Sequence, residues 1–409
     1  MVRFENGVYD LRSALEFLRG RPGQLAETEV EADPEAELSG VYRRVGAGGT
    51  VMRPTRTNGP AMLFRNLRGF PGVSAAIGVL ASRERVAALL GCKSTDLGKL
   101  LCSCVDGPVE PVLADSPAPC QEVVHLASEP NFDLRRLLPA PKNTPLGYDE
   151  LAIAGALRGE PVQLCRCVSV DERAIARAEF VIEGELVPGV RVQEGQNSGT
   201  GYAMPEFPGY NGVASSECRL LKVKALTHKK DPILQTCIGP SEEHVNMAGI
   251  PTEASILGML ERAMPGRVLN VCAHRSGGGK YMAVLQVCKK SPTDEGRQRQ
   301  AALLAFSAFP ELKHVILVDE DVDIFDTDDV LWALNTRYQG NLDTVFIPGV
   351  RCHPLDPSAG PEYSPGIADR GVSCKTIFDC TVPYSQKARF RRAEFLEADP
   401  AHWLPGWEG

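Results

Sequence analysis

Two acidic residues stand side by side in Gly239-Pro240-Ser241-Glu242-Glu243-His244, between the apolar run ILQTCI and a segment of helical spacing. Adjacent carboxylates repel, so one of the pair can hold a proton at neutral pH and deliver it to a reacting atom. The same residues also suit a helix N-terminus, where negative charge meets the positive end of the helix dipole. A second group, His274-Arg275-Ser276-Gly277-Gly278-Gly279-Lys280, lies between two apolar runs. Three glycines permit a sharp turn and a close backbone approach. Their N–H groups, with Arg275 and Lys280, could hold an anion; a hairpin turn with solvated charges accounts for the same residues. A third group, Asp319-Glu320-Asp321-Val322-Asp323 with Asp326, Asp328 and Asp329, has the composition of a metal cluster. It lacks the glycine and terminal glutamate of a calcium loop. It sits where a strand runs into a helix, so Asp326 or Thr327 is read as the helix cap and the others as loop anchors. The thirteen cysteines are odd in number and irregularly spaced, which fits small buried hydrophobes rather than a zinc knuckle or a disulfide frame. No GxGxxG fingerprint, P-loop or Ser-His-Asp signature is present.

The elements that must position these groups follow from periodicity. Residues 10–19 and 82–91 have helical spacing, with Asp10 and Ser82 as N-caps and Gly91 as terminator. Short β-like segments such as 61–66 lie between them. Residues 115–147 are proline-rich and read as a connection. YDELAIAGALRG is a short helix closed by its glycine, and PVQLCRCVSV, AEFVIEGEL and CRLLKVKALTH are strands, so a compact or split β-barrel is expected. From residue 240 onward helices and strands alternate, with helix expected over 252–264, which argues a parallel or mixed sheet covered by helices. The reading is therefore α/β (α+β) in class. It has an N-terminal α/β domain over 1–115, a central domain over 116–240, a C-terminal α/β domain over 241–385 and a tail over 386–409. The tail carries two tryptophans, which points to docking on a neighbouring surface or subunit.

The 409 residues carry a formal net charge of −8, with 43% hydrophobic and 23% charged residues. That balance offers nothing to nucleic acid or to an anionic membrane. No stretch approaches the roughly 18 apolar residues of a membrane span, and the opening MVRFENGVYDLRSALEFLRG has no apolar signal core. A cytoplasmic protein is expected.

Several long segments resemble the UbiD family of decarboxylases. The most specific is VILVDEDVDIFDTDDVLWALNTRYQGNLDTVFIPGVRCHPLDPS, residues 315–358. GPAMLFRNLRGFPG followed by SRERVAALLG, PEFPGY, the EEH and GIPTEA segments, GGGKYMAV and SCKTIFDCT fit the family in the correct order. The resemblance implies a central domain built as a flavin-reductase-like split β-barrel and homo-oligomers joined through the C-terminal region. It implies reversible decarboxylation of an aromatic or α,β-unsaturated carboxylic acid, a small-molecule partner, with prenylated FMN, a divalent manganese-like metal and potassium. Glu242 and Glu243, with His274 or Arg275 in the same cleft, are the residues it implies for proton delivery; Lys375, Glu206 and Lys280 are those it implies for holding the cofactor. Departures from the pattern stand beside this. LLPAPKNTPLG runs almost directly into YDELAIAGALRGEP, so the family segment carrying an Asn, a His and an Arg of the site is missing. Where the family has its EGPFGE motif, Gly201 replaces the first glutamate while Glu206 keeps the second. No metal ligand is assigned, and prenylated-FMN binding is predicted to be weak or absent unless Glu194, Glu206 or Asn197 rebuild the site. Two functions follow: a decarboxylase, or a family member that has lost this chemistry and acts on another substrate or as a non-catalytic partner subunit.

Overall fold

The computed structural model describes residues 6–46, 59–115, 117–126, 133–134, 149–194, 202, 204–212, 214–367 and 369–404. The expected α/β class is what it shows. At the N-terminus, strands Leu25–Thr28, Ala61–Phe64 and Ser74–Ile77 form a sheet whose fourth member, Ile233–Thr236, returns from far along the chain to pair in parallel with Ser74–Ile77. Helix Leu11–Arg19 starts at Asp10, whose side chain accepts from the Ser13 N–H. Helix Arg83–Leu90 starts at Ser82 and ends on Gly91 in the left-handed region.

The described residues of the middle region form separate sheets and no closed barrel. One holds Val112–Leu113, Gln163–Arg166 and Arg173–Ile175. The other centres on Cys218–His228, paired antiparallel with Phe180–Val192, Val123–Leu126 and Asp133–Leu134. Helix Glu150–Arg158, capped by Asp149 and closed by Gly159, lies in the chain between strands Asp133–Leu134 and Gln163–Arg166.

The C-terminal sheet runs in the order Val268–Ala273, Met282–Val287, His314–Val318, Val372–Cys380, Thr344–Arg351, parallel in its centre and antiparallel at both edges. Its strands are apolar on both faces because both are covered. Val271, Ala283, Leu285, Val315, Leu317 and Ile377 meet helices Glu242–Ala263 and Arg297–Ala308 through Leu260, Ala301, Ala305 and Phe306. The alternate residues Cys272, Val284, Ile316, Val318 and Cys380 meet helix Thr327–Thr336 through Val330 and Ala333.

The helix expected over 252–264 begins ten residues earlier, at Glu242, and runs through Pro251 to Ala263. Proline removes one backbone hydrogen bond from a helix interior. Here Val245, Gly249 and Ile250 before the break and Ala254, Ile256 and Leu257 after it are all buried, so packing on both sides holds the helix continuous. The acidic run 319–329 is a set of anchors, as its strand-to-helix position suggested. The Asp326 side chain caps the helix through the Asp328 N–H, and Asp319 accepts from the Val382 N–H. Asp321 and Asp329 bind Arg337 and Arg392. Among the described residues, no helix is long and apolar enough to cross a membrane.

Candidate functional site

Ser241 caps the helix Glu242–Ala263 and sends the two acidic residues of its first turn in different directions. Glu243 accepts the backbone N–H groups of Gly78 at 2.8 Å and Leu80 at 2.9 Å. Asn246, one turn on, donates to the Leu80 carbonyl at 2.7 Å. Glu243 therefore ties the helix to the turn that follows strand Ser74–Ile77. Burial pushes its pKa up and the N–H groups oppose that. Glu242 is buried as well, but its Oε1 receives no hydrogen bond among the described residues. The Arg275 Nε lies 3.4 Å away, close enough for charge attraction and too far for a strong hydrogen bond. Burial raises the Glu242 pKa to about 7; Arg275 lowers it and the Glu84 carboxylate raises it. Glu84 also lines a cavity of about 400 Å³ with Leu18, Arg21, Gln24, Ser82 and Arg85. Of the two expected proton donors, Glu242 alone combines an unengaged oxygen with a pKa near neutrality.

His274 stands at the end of strand Val268–Ala273. Its Nδ1 accepts the Ser276 N–H at 3.2 Å, which leaves the ring proton on Nε2, 3.1 Å from the Thr327 Oγ1. Burial first, then Arg275, pull its pKa down to about 4, so the ring is neutral at pH 7 and orients the turn that carries Arg275. The glycines after it serve packing. Gly278 and Gly279 have φ of +64° and +71°; a Cβ on Gly278 would come within 2.2 Å of the Phe207 ring, and one on Gly279 within 2.7 Å of the Val245 carbonyl. That contact lays the turn on the first half of helix Glu242–Ala263 and brings Arg275 to Glu242. The space in which the glycines could have cradled an anion is filled by Phe207 and the helix.

Glu206 and Lys280 share a second neighbourhood next to the first. Glu206 closes the turn 206–210 through its own N–H and carbonyl, and the following Phe207 is fully buried. The Lys280 Nζ lies 4.9 Å from the Phe207 ring centre, 3.4 Å from the His353 Nε2 and 4.0 Å from Glu311. Lys375 is elsewhere. Its Nζ donates to the Pro310 carbonyl at 2.7 Å and to that of Leu312, beside the Phe306 ring. Burial lowers its pKa to about 8. Its ammonium satisfies the carbonyls of the turn after helix Arg297–Ala308.

Sequence reasoning missed the pair that holds these parts together. Arg83 binds Glu253 through both nitrogens at 2.9 and 2.7 Å, and Glu253 also accepts the Ala273 N–H at 3.0 Å. This joins helix Arg83–Leu90, the helix bearing Glu242 and the strand end bearing His274. The two residues are 170 positions apart, and no local pattern signals such a pair.

Among the described residues, no group of three or more His, Cys, Asp or Glu could hold a metal ion. Lys375 is spent on carbonyls, and Glu194 accepts the Ser215 N–H at 3.0 Å. Gly201 and Asn197 lie outside the described residues.

Comparison with known proteins places this geometry. Family models of 3-octaprenyl-4-hydroxybenzoate carboxy-lyase match in order: the N-terminal domain at residues 16–105, the Rift-related domain at 143–242 and the C-terminal domain at 245–380. Gallate decarboxylase of Lactiplantibacillus plantarum is 44% identical, over 97% of this chain and 98% of its own length. Six other curated relatives are matched over only 49% to 60% of their length. The apo structure of a 3,4-dihydroxybenzoic acid decarboxylase from Enterobacter cloacae superposes with a TM-score of 0.87 at 47% identity, covering 98% of this chain and 99% of that one. The UbiD-class enzyme HmfF of Pelotomaculum thermopropionicum, in complex with FMN, superposes at 0.80 with 27% identity, over 96% and 99% of the two chains. The gallate decarboxylase alignment runs over 483 positions, while this chain has 409 residues. At least 74 of those positions (483 less 409) therefore face no residue here. With all three domain models matched in sequence order, the chain belongs to the UbiD family.

Proposed function

We propose that this chain is a non-oxidative carboxy-lyase acting on a hydroxylated benzoic acid, with Glu242 holding the proton that takes the place of the departing carboxyl group. The observation that carries this is the Glu242 carboxyl: buried, held near pKa 7, with one oxygen that takes no hydrogen bond among the described residues and has Arg275 beside it. A carboxylic acid with a pKa near the working pH is well matched to proton transfer. The substrate class is taken from the relatives, which include gallate, 3,4-dihydroxybenzoic acid and phenolic acid decarboxylases.

Loss of CO₂ from an sp² carbon leaves an electron pair that ordinary side chains cannot absorb, so this chemistry needs a cofactor as electron sink. Glu242 and Arg275 account for the proton-handling half of that chemistry. The missing 74 or more positions favour a second reading, in which this chain alone binds prenylated FMN weakly and works on another substrate or beside a catalytic partner subunit. The proposal extends to the three domain boundaries given above, a split-barrel middle domain, a homo-oligomer and a cytoplasmic location.

One experiment separates the readings. The chain is co-expressed with a flavin prenyltransferase, purified, and offered gallate and 3,4-dihydroxybenzoate. Substrate consumption by the wild type, reduced about 10²- to 10⁴-fold in Glu242→Gln, supports the first. A folded protein with neither flavin absorbance nor turnover supports the second.

A further inference from the structure

We propose that His125 and His228 form a surface site for one divalent transition-metal ion of the zinc class, apart from the acid site and independent of the function proposed above. His125 lies on strand Val123–Leu126 opposite Leu226, and His228 lies opposite Val123. The two residues are therefore diagonal neighbours on one face of an antiparallel pair, where side chains reach each other. Their Nε2 atoms are 3.2 Å apart, and their rings stack with centres 5.3 Å apart.

The protonation pattern leaves the His228 Nε2 able to bind a ligand. The His228 Nδ1 lies 2.6 Å from the Lys229 carbonyl oxygen. That oxygen can only accept, so Nδ1 carries the ring proton and Nε2 presents a lone pair. A backbone carbonyl on the far ring nitrogen is the arrangement that orients metal-binding histidines. Two imidazole nitrogens at about 2.0–2.1 Å from one tetrahedral ion stand roughly 3.3–3.4 Å from each other, and the observed separation is close to that. The other side chains on this face near the pair include Phe180, its ring 5.7 Å from that of His228, and Ile182, opposite Leu226 on the next strand. Both are apolar and leave water to complete the coordination. Imidazole pairs take zinc, nickel and copper in preference to magnesium or calcium. A bound ion would clamp the strand leading out of the N-terminal half to the long strand Cys218–His228.

The test titrates the full chain with Zn²⁺ and with Ni²⁺ in a non-chelating reductant, beside His125→Gln and His228→Gln. The expected result is saturable binding of one ion per wild-type chain. Either substitution should weaken it at least tenfold while leaving the metal-free melting temperature unchanged. Anomalous scattering from a zinc-soaked crystal should place the ion between the two Nε2 atoms. Equal binding by wild type and both variants would overturn the proposal, because the ion would then sit on cysteines. So would the absence of saturable binding, because the two rings would then simply share a proton. If a variant melts lower without metal, the anomalous map of the wild type decides alone.

Discussion

The C-terminal sheet and the middle sheets are built from strands of similar apolar character, yet they have been put to different uses. In the C-terminal unit every central strand is covered on both faces by helices, and the residues around Glu242 hang from that block. In the middle region Leu126, Ile182 and Leu186 remain exposed, and the buried cluster there is a small group of Ala118, Cys120, Cys165 and Ala176. A reacting group has to be held to within a fraction of an ångström by side chains that are themselves locked. The first region is locked in this way. The second presents strands with one uncovered side. The difference teaches that within one chain strands of like composition can be supported very unequally.

The strongest way to break that comparison is to cut the tie between units. Glu253→Ala should leave Arg83 buried without its carboxylate and cost about 3–5 kcal/mol, read as a shift in the urea midpoint. A loss of under about 1 kcal/mol would mean that the C-terminal block does not depend on this pair. Core truncation comes next. Leu285→Ala should cost about 2–5 kcal/mol, whereas Leu186→Ala in the middle sheet should stay within about 0.5 kcal/mol. Equal losses would erase the contrast between the regions.

The pH dependence is smaller and has a definite sign. Glu242 has a folded pKa of about 7, above the ordinary 4.5. Between those values the folded protein holds a proton that the unfolded chain has released. Its contribution therefore falls as pH rises through that window and is flat above it, by up to about 3 kcal/mol in all. Urea midpoints at pH 5 and pH 8 should differ more for wild type than for Glu242→Gln, and identical differences would show that Glu242 is not held protonated. Last, Ser82→Ala removes the cap of helix Arg83–Leu90 and should cost about 1 kcal/mol. Rescue by Ser82→Asp would identify the cap rather than the packing as the cause.

Much of the fold was legible because it is local. The caps at Asp10, Ser82 and Asp326 and the terminators Gly91 and Gly159 are readable since each acts on backbone groups within four residues of itself. The alternating apolar runs of the C-terminal sheet announce strands for the same reason. The start of helix Glu242–Ala263 was hidden by Pro251, whose local preference is overridden by packing on both of its sides. The return of Ile233–Thr236 to the N-terminal sheet could not be seen, because strand pairing across some 160 residues leaves no trace in spacing.

At the candidate site the sequence alone determined which residue types were available: two adjacent carboxylates, a histidine and arginine before a glycine run, and lysines at 280 and 375. It also carried the family pattern and the shortfall against it. Only the tertiary structure decided which of these does what. Glu243 is consumed by the N–H groups of Gly78 and Leu80, Glu242 is left with a free oxygen beside Arg275, and Lys375 is turned onto carbonyls of the turn after helix Arg297–Ala308. The reason is physical. A pKa or a hydrogen-bond role is set by burial and by partners within a few ångströms, and here those partners come from segments 33 to 165 residues away.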